Sequence, residues 1–340
     1  MRKSWLSVIA LASMLVPLLH NAPVRAQSAK TWVANFGSDA NDCSRLQPCA
    51  TFQRAHEQTA AGGEVGVLTP GDYGASSGVI RLSIRKSIAI TNDGSGEATI
   101  LAGGPPVGGL LPIGVLIDAG AGDVVSLRGL VIDGLIGGGS GIAFLQASAL
   151  HVQNCVIRNF EGAPNAAQGI VFAPEGNGQL FVSDTIIYNN GSSDRRTGAI
   201  FITNTNGGST RVVLDRVHLE NNVVGLFVDG SGSTGSGNHV TVRDSVVSGN
   251  AGDGIWSLRP IDSGSSTIVL VERTAVVGNT GAGVLADGGG IVQLTSSALE
   301  YNGTGASVIN GGRLFTYQNN VIDNNVGEDL SPAAIARVAK

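Results

Sequence analysis

Charge is scarce in this chain. Only 14% of its 340 residues are Asp, Glu, Lys or Arg, against roughly 25% in an ordinary soluble domain. The balance is acidic, −5 at pH 7, which excludes the basic footprint of a nucleic-acid-binding protein. An anionic partner would need a local basic patch to overcome that field. Aromatic residues make up 5%, so a core has to be built from aliphatic side chains. There are three cysteines, and no second Cys or His pair stands at zinc-ligand spacing. Beyond residue 26 no apolar run approaches the ~20 residues of a membrane-spanning helix.

Glycine, by contrast, is abundant: 50 residues, about twice the usual share. With 42% of the chain hydrophobic, the composition is that of a packed protein and not a disordered one. It predicts many short strands joined by tight turns. The first 26 residues read as a secretory signal: Arg2 and Lys3, the apolar run WLSVIALASMLVPLL, then small residues at Val24 and Ala26. Their order is that of a positive end, an apolar centre and a cleavage site. Loss of Arg2, Lys3 and Arg25 takes the net charge from −5 to −8. The exported chain is then expected to be secreted, periplasmic or at the cell surface, and not membrane-spanning. An oxidising compartment permits a Cys43–Cys49 disulfide across the polar turn NDCSRLQPC, contributing about 2 kcal/mol.

A phrase recurs along the chain: DRVHLENNVVGLFV at 215–228, DSVVSGNAGDGIWSL at 244–258 and RTAVVGNTGAGVLA at 273–286. Anchoring it at Gly129, Asn154, Asp184, Asp215, Asp244, Arg273, Ser296 and Asn319 gives units 23 to 31 residues long. Two positions before each anchor the residue is apolar at every unit except Tyr317, from Leu127 through Val213 to Leu294; two positions after it, Val131 through Val217 to Val321 are apolar throughout. Cys155 shares a column with Thr185, Ser245 and Thr274, so it reads as a packed wall residue and not a nucleophile. Six positions after the anchor stand Asn190, Asn221, Asn250, Asn279, Asn302 and Asn325, preceded in that column by Leu135 and Phe160. An amide carries both donor and acceptor, so stacked asparagines can bond from unit to unit while satisfying the turn backbone. Asn190-Gly-Ser and Asn302-Gly-Thr match the glycosylation pattern, which an inward ladder would defeat.

A unit of this size cannot bury its own apolar row, whereas stacked units share a continuous core. Neither a leucine-rich repeat nor the ~40–45-residue blade of a propeller fits the spacing. The reading is therefore all-β: a right-handed parallel β-helix of roughly ten coils, spanning 64–330. Residues 27–63 form an N-terminal cap, with an amphipathic helix in ATFQRAHEQTAA (50–61), and residues 331–340 a C-terminal capping helix begun by Ser331-Pro332.

WVANFGSDANDC…PCATFQRA…AAGGEVGVLTPGDYG and the DSVVSGN…GI coils resemble the right-handed parallel β-helix proteins of the pectin-lyase-like superfamily, over nearly all of residues 31–330. Many functions share that scaffold. The polygalacturonase-like signatures Asn-Thr-Asp, Asp-Asp, Gly-His-Gly and Arg-Ile-Lys are not present, nor is the Asp-Pro-His-Glu of alginate epimerases. Pectate-lyase-like members hold calcium on acidic side chains and use an arginine as base. The counterpart that the resemblance implies is the column Asp184, Asp215 and Asp244 with Arg243 and Arg273 beside it, a candidate ligand or cation stripe with calcium as its cofactor. The alternative is that each Asp caps a bend through backbone amides, as Asn154 and Asn319 would in the same column. The leading functional reading is a secreted β-helix that contacts extracellular or cell-envelope polysaccharide. A polysaccharide lyase, hydrolase or epimerase and a purely structural surface protein are the alternatives. Aromatic residues on one open face would favour sugar binding. Catalytic residues and oligomeric state stay open.

Overall fold

A computed structural model describes residues 27–75, 78–162, 166–233 and 235–337; the expected signal segment lies outside them. Three parallel sheets of twelve, ten and nine strands run the length of the described chain, and strands adjacent in a sheet come from successive coils. The chain is a parallel β-helix. Each complete coil contributes one strand to each sheet, so parallel pairing needs no crossover helix. The side chains that alternate inward form stacked columns, such as Leu127, Val152, Val182, Leu214, Val242, Val271 and Leu294 on the twelve-stranded sheet. All seven are buried in one core that extends from Val33 to Leu314.

The frame of one coil differs from the sequence reading. Ser183 pairs with Asp215 and Asp215 with Arg243, so the bend position in that coil is Arg216, not Asp215. Asp184, Arg216, Asp244, Arg273 and Ser296 share left-handed φ values of 46–53°. The physical reason is burial. An anchor at Asp215 would turn His218 into the core column of Ile187, Val247 and Val276. The observed frame puts Leu219 there and leaves His218 outside, bonded to Glu220 at 2.8 Å. Val213 gives way to Leu214 in the core for the same reason.

The shift also corrects the amide ladder, whose member in this coil is Asn222 and not Asn221. Asn190 donates through both its backbone N and Nδ2 to Asn222 Oδ1 at 3.0 and 2.9 Å. Asn222 does the same to Asn250, Asn250 to Asn279, Asn279 to Asn302 and Asn302 to Asn325. Phe160 N donates into the start of the run at 3.2 Å, and the Asp329 carboxylate accepts at its end. Asn190 and Asn302 are buried, so neither glycosylation pattern is accessible in the fold. A hydroxyl ladder lines the other bend: Ser245 N bonds Thr274 Oγ1, and Thr274 N bonds Ser297 Oγ. Cys155 opens this column, fully buried, donating its N–H to Thr185 Oγ1, with burial pushing its thiol up to about 11.

The N-terminal cap is built in layers. Strand β1 (Ser28–Val33) begins the twelve-stranded sheet and pairs with β2 (Thr59–Val67), so the expected boundary at 63/64 falls inside a strand. Between them the Cys43–Cys49 disulfide holds the polar turn, and Asp39 accepts from Ala50 N, Thr51 N and Thr51 Oγ1. The Thr51 hydroxyl in turn accepts from Arg54 N and caps helix α1 (Phe52–Gln58). A seven-residue helix is too short to persist alone; burial of Phe52, Ala55 and His56 holds it over the first coils. At the other end the described residues 331–337 do not form the expected capping helix, and 338–340 lie outside the described residues. Ile335–Arg337 instead adds a strand beside Arg313–Tyr317. The unpaired edge of the last full coil supplies ready backbone partners, whereas a ten-residue isolated helix is marginal.

His56 makes the cap acid-sensitive. Its Nε2 accepts from Arg85 N at 3.4 Å and its Nδ1 is buried without a partner. Burial first, then repulsion from Lys86 and Arg85, lowers its pKa from 6.5 to about 4. The unfolded chain therefore takes up this proton at a higher pH than the folded one. Stability from this residue is intact above pH 6.5, falls as pH is lowered toward about 4, and is constant below that. The expected loss is about 2–3 kcal/mol. Urea midpoints at pH 7.5 and 4.5 should separate further in the parent than in His56→Leu; equal separations would show that His56 does not carry the effect.

Candidate functional site

The outer face of the twelve-stranded sheet brings chemistry together. On the strands Ala149–Gln153 and Gly178–Ser183, Leu150, Val152, Leu180 and Val182 point into the core, which forces His151 and Phe181 outward. Their rings stack at 4.7 Å between centroids and 11° between planes, a geometry suited to paired π-systems. Partial desolvation lowers the His151 pKa, which disfavours the charged imidazolium. Beside the stack is a depression of about 360 Å³ lined by Ser148, Asn177, Gln179, Ser209, Arg211 and Ser236. Arg211 is exposed and has no ion-pair partner among the described residues. In the next coil His239 donates from Nε2 to Ser236 O at 3.0 Å. The site thus offers an aromatic platform beside amide, hydroxyl and guanidinium groups.

The expected acidic stripe borders this face, but its three aspartates do not share a column. Arg216 stands between Asp184 and Asp244 and grips Asp184 at 2.7 and 3.0 Å. Its Nη1 reaches Asp215 at 2.6 Å, where Arg243 also arrives at 3.2 Å. One coil on, Arg273 grips Asp244 at 2.8 and 2.9 Å and pairs with Glu272. These arginine hydrogen bonds hold the Asp184 and Asp244 carboxyls below the usual carboxylate range. The border is an alternating ion-pair ladder, and among the described residues no three His, Cys, Asp or Glu side chains converge as a metal group would.

The sequence reading did not single out His151 and Phe181 as a pair, nor Gln179 or Arg211. A second aromatic run, Phe201, Phe227 and Trp256, lies outside the core on the nine-stranded sheet. Phe227 and Trp256 are buried, and Arg195 covers Trp256 at 4.4 Å from the ring centroid while bonding Asp253 at 2.9 Å. Among the described residues no helix is long and apolar enough to cross a membrane.

The profile of a family described as "Right handed beta helix region" matches residues 114–326, and the chain belongs to that family. Its fold is a right-handed parallel β-helix. Pectate lyase Pel9A superposes with a TM-score of 0.62 at 14% identity, over 91% of this chain and 78% of that one. An alginate lyase from Paenibacillus sp. str. FPU-7 does so with a TM-score of 0.59 at 13% identity, over 92% of this chain and 99% of that one. No curated protein matches the sequence.

Proposed function

We propose that this protein is exported and binds polysaccharide on the outer face of its twelve-stranded sheet. The observation that carries the reading is the outward His151–Phe181 stack, its imidazole exposed and its phenyl ring half-buried, beside the polar depression with its unpaired Arg211. A pyranose ring presents an apolar C–H face and a rim of hydroxyls; the stack suits the first, and Gln179, Asn177 and Arg211 suit the second. The likeness to a pectate lyase and an alginate lyase supports a polysaccharide partner. Export rests on the charge and apolar pattern of residues 1–26. The lyase reading through Asp184, Asp215 and Asp244 has less support, because Arg216, Arg243 and Arg273 already occupy those carboxylates.

Affinity electrophoresis of the chain from Gln27 through gels containing pectate, alginate or a neutral β-glucan tests this. At least one polymer should retard the parent. Phe181→Ala and Arg211→Ala should each weaken retardation about tenfold, with unchanged thermal midpoints. A parent that migrates freely in every gel, or variants retarded like the parent, would overturn the reading.

A further inference from the structure

The ten-stranded sheet turns an apolar stripe toward solvent. In its strands Ile157, Ile187, Leu219, Val247 and Val276 point into the core, so the residues before and after them face outward. The residue before the core position is Val131, Val156, Ile186 and His218 in four successive strands. It is Val246, Ala275, Ala298 and Val321 in the next four, in unbroken register. The column is aliphatic everywhere except at His218. None of its members is buried; Ile186 is 40% and Val321 55% exposed. Single exposed aliphatic groups are ordinary, but a continuous row of them marks an interaction surface.

The stripe lies off the centre of its face. On one flank, at the bend, runs the charge ladder Asp184, Arg216, Asp244 and Arg273, with the neutral Asn154 and Ser296 beyond its ends. On the other stands the polar outward column of Arg158, Tyr188, Glu220, Ser248 and Glu300. Past it the chain turns through Asn189, Asn221, Gly249 and Gly278, which carry no charge.

This layout selects what can cover the stripe. Two copies laid face to face about a two-fold axis along the helix would set the stripe against the polar column. A two-fold axis along the strands keeps every column opposite itself and reverses the order of coils. Placed between the coils of Arg216 and Asp244, it sets Asp184 against Arg273 of the second copy, and Arg216 against Asp244. All four ladder charges then meet the opposite sign. The same axis sets Ile186 against Ala275, Val156 against Ala298 and Arg158 against Glu300, so larger aliphatic groups meet smaller ones. Asp133 and Asp323 make one like-signed pair at the ends, where Asp133 is already bonded to Arg158 at 2.7 Å. Moving the axis onto Arg216 or onto Asp244 would put like charges opposite each other, which is destabilising.

We propose that the outer face of the ten-stranded sheet is the interface of an antiparallel, two-fold dimer of this chain. The aliphatic stripes supply the contact and the ladder charges fix its register. The inference goes beyond the polysaccharide reading and uses a different sheet from that of His151 and Phe181, so either can fail alone.

Sedimentation velocity of the chain from Gln27 over a concentration series should show a dimer. Ile186→Asp and Ala275→Asp each put a carboxylate into the apolar contact twice per dimer. Each should weaken association about a hundredfold while leaving the fold of the monomer intact by circular dichroism, since both positions face outward. Arg216→Glu should weaken it about tenfold, and adding Asp244→Arg should restore it, because opposite signs again meet across the axis. Spin labels report the direction of packing; Cys155 is buried and stays unlabelled. Labels on Ser248→Cys should be offset along the axis by one strand spacing, ~5 Å, and those on Asp323→Cys by seven, ~34 Å. A chain that sediments as a monomer at every concentration, a dimer that survives both aspartate variants, or equal label separations at the two sites would sink the proposal.

Discussion

Asn222→Ala is expected to cost on the order of 3 kcal/mol, whereas Asn221→Gly, one residue earlier, should stay within about 1 kcal/mol. Asn222 Nδ2 donates to Ile187 O and Glu220 O, each at 3.0 Å, and to Asn250 Oδ1 at 3.2 Å. Its Oδ1 takes both Asn190 donors. Truncation leaves the Asn190 amide N–H and the Ile187 carbonyl buried and short of a partner, and an unmade buried bond costs more than a made one contributes. Asn221 is exposed at φ 53°, a conformation that glycine adopts freely. Chemical denaturation of the two variants side by side decides the frame of this coil. Equal midpoints, or a larger loss for Asn221→Gly, would place the ladder on the wrong residue.

A larger loss, about 4 kcal/mol or more, is expected for Gly254→Val. Gly254 belongs to an inward column with Gly141, Gly169, Ala199, Gly225 and Gly283. A Cβ there would lie 2.6 Å from Gly283 O, 2.8 Å from Val276 Cγ1 and 3.0 Å from Asn279 Nδ2. The first of these is backbone, and the last is a ladder amide already committed to Asn302. Ala199 shows that one methyl can be accommodated in this column. Gly254→Ala should therefore cost less, about 1–3 kcal/mol, while the branched side chain drives two further methyls into the ladder. Thermal melts of both variants, with amide exchange at Asn279 as a local probe, test the order. A valine variant as stable as the alanine one would show that the coils are less tightly stacked than the contact distances imply.

The repeat length, the apolar columns, the asparagine turn and the Cys43–Cys49 bridge were legible because each is enforced once per coil or by a short ring. The frame at 215–222 was not, since Asp215-Arg216, Val213-Leu214 and Asn221-Asn222 each offer a plausible residue in either frame. One local signal favours the observed choice: it buries Leu219 and exposes His218, where the other buries an imidazole. The C-terminal strand escaped because SPAAIARVAK has helical composition, and only the open edge of the preceding coil makes a strand preferable there. The candidate site was the least legible part. His151 and Phe181 are 30 residues apart in sequence. Outward positions are free of the core's constraint, so their alignment exists only after the coils have stacked.

The alternating ladder of Asp184, Arg216, Asp244 and Arg273 has a consequence for assembly. Apolar columns and asparagines are nearly alike in every coil, so a chain that looped out one coil and joined the next would satisfy both almost as well. The charges distinguish odd coils from even ones. Omit the coil of Arg216, and Asp184 faces Asp244; omit that of Asp244, and Arg216 faces Arg273. Like charges directly opposite are destabilising, so the surface ladder acts as a parity check on a wall that otherwise cannot count its own turns.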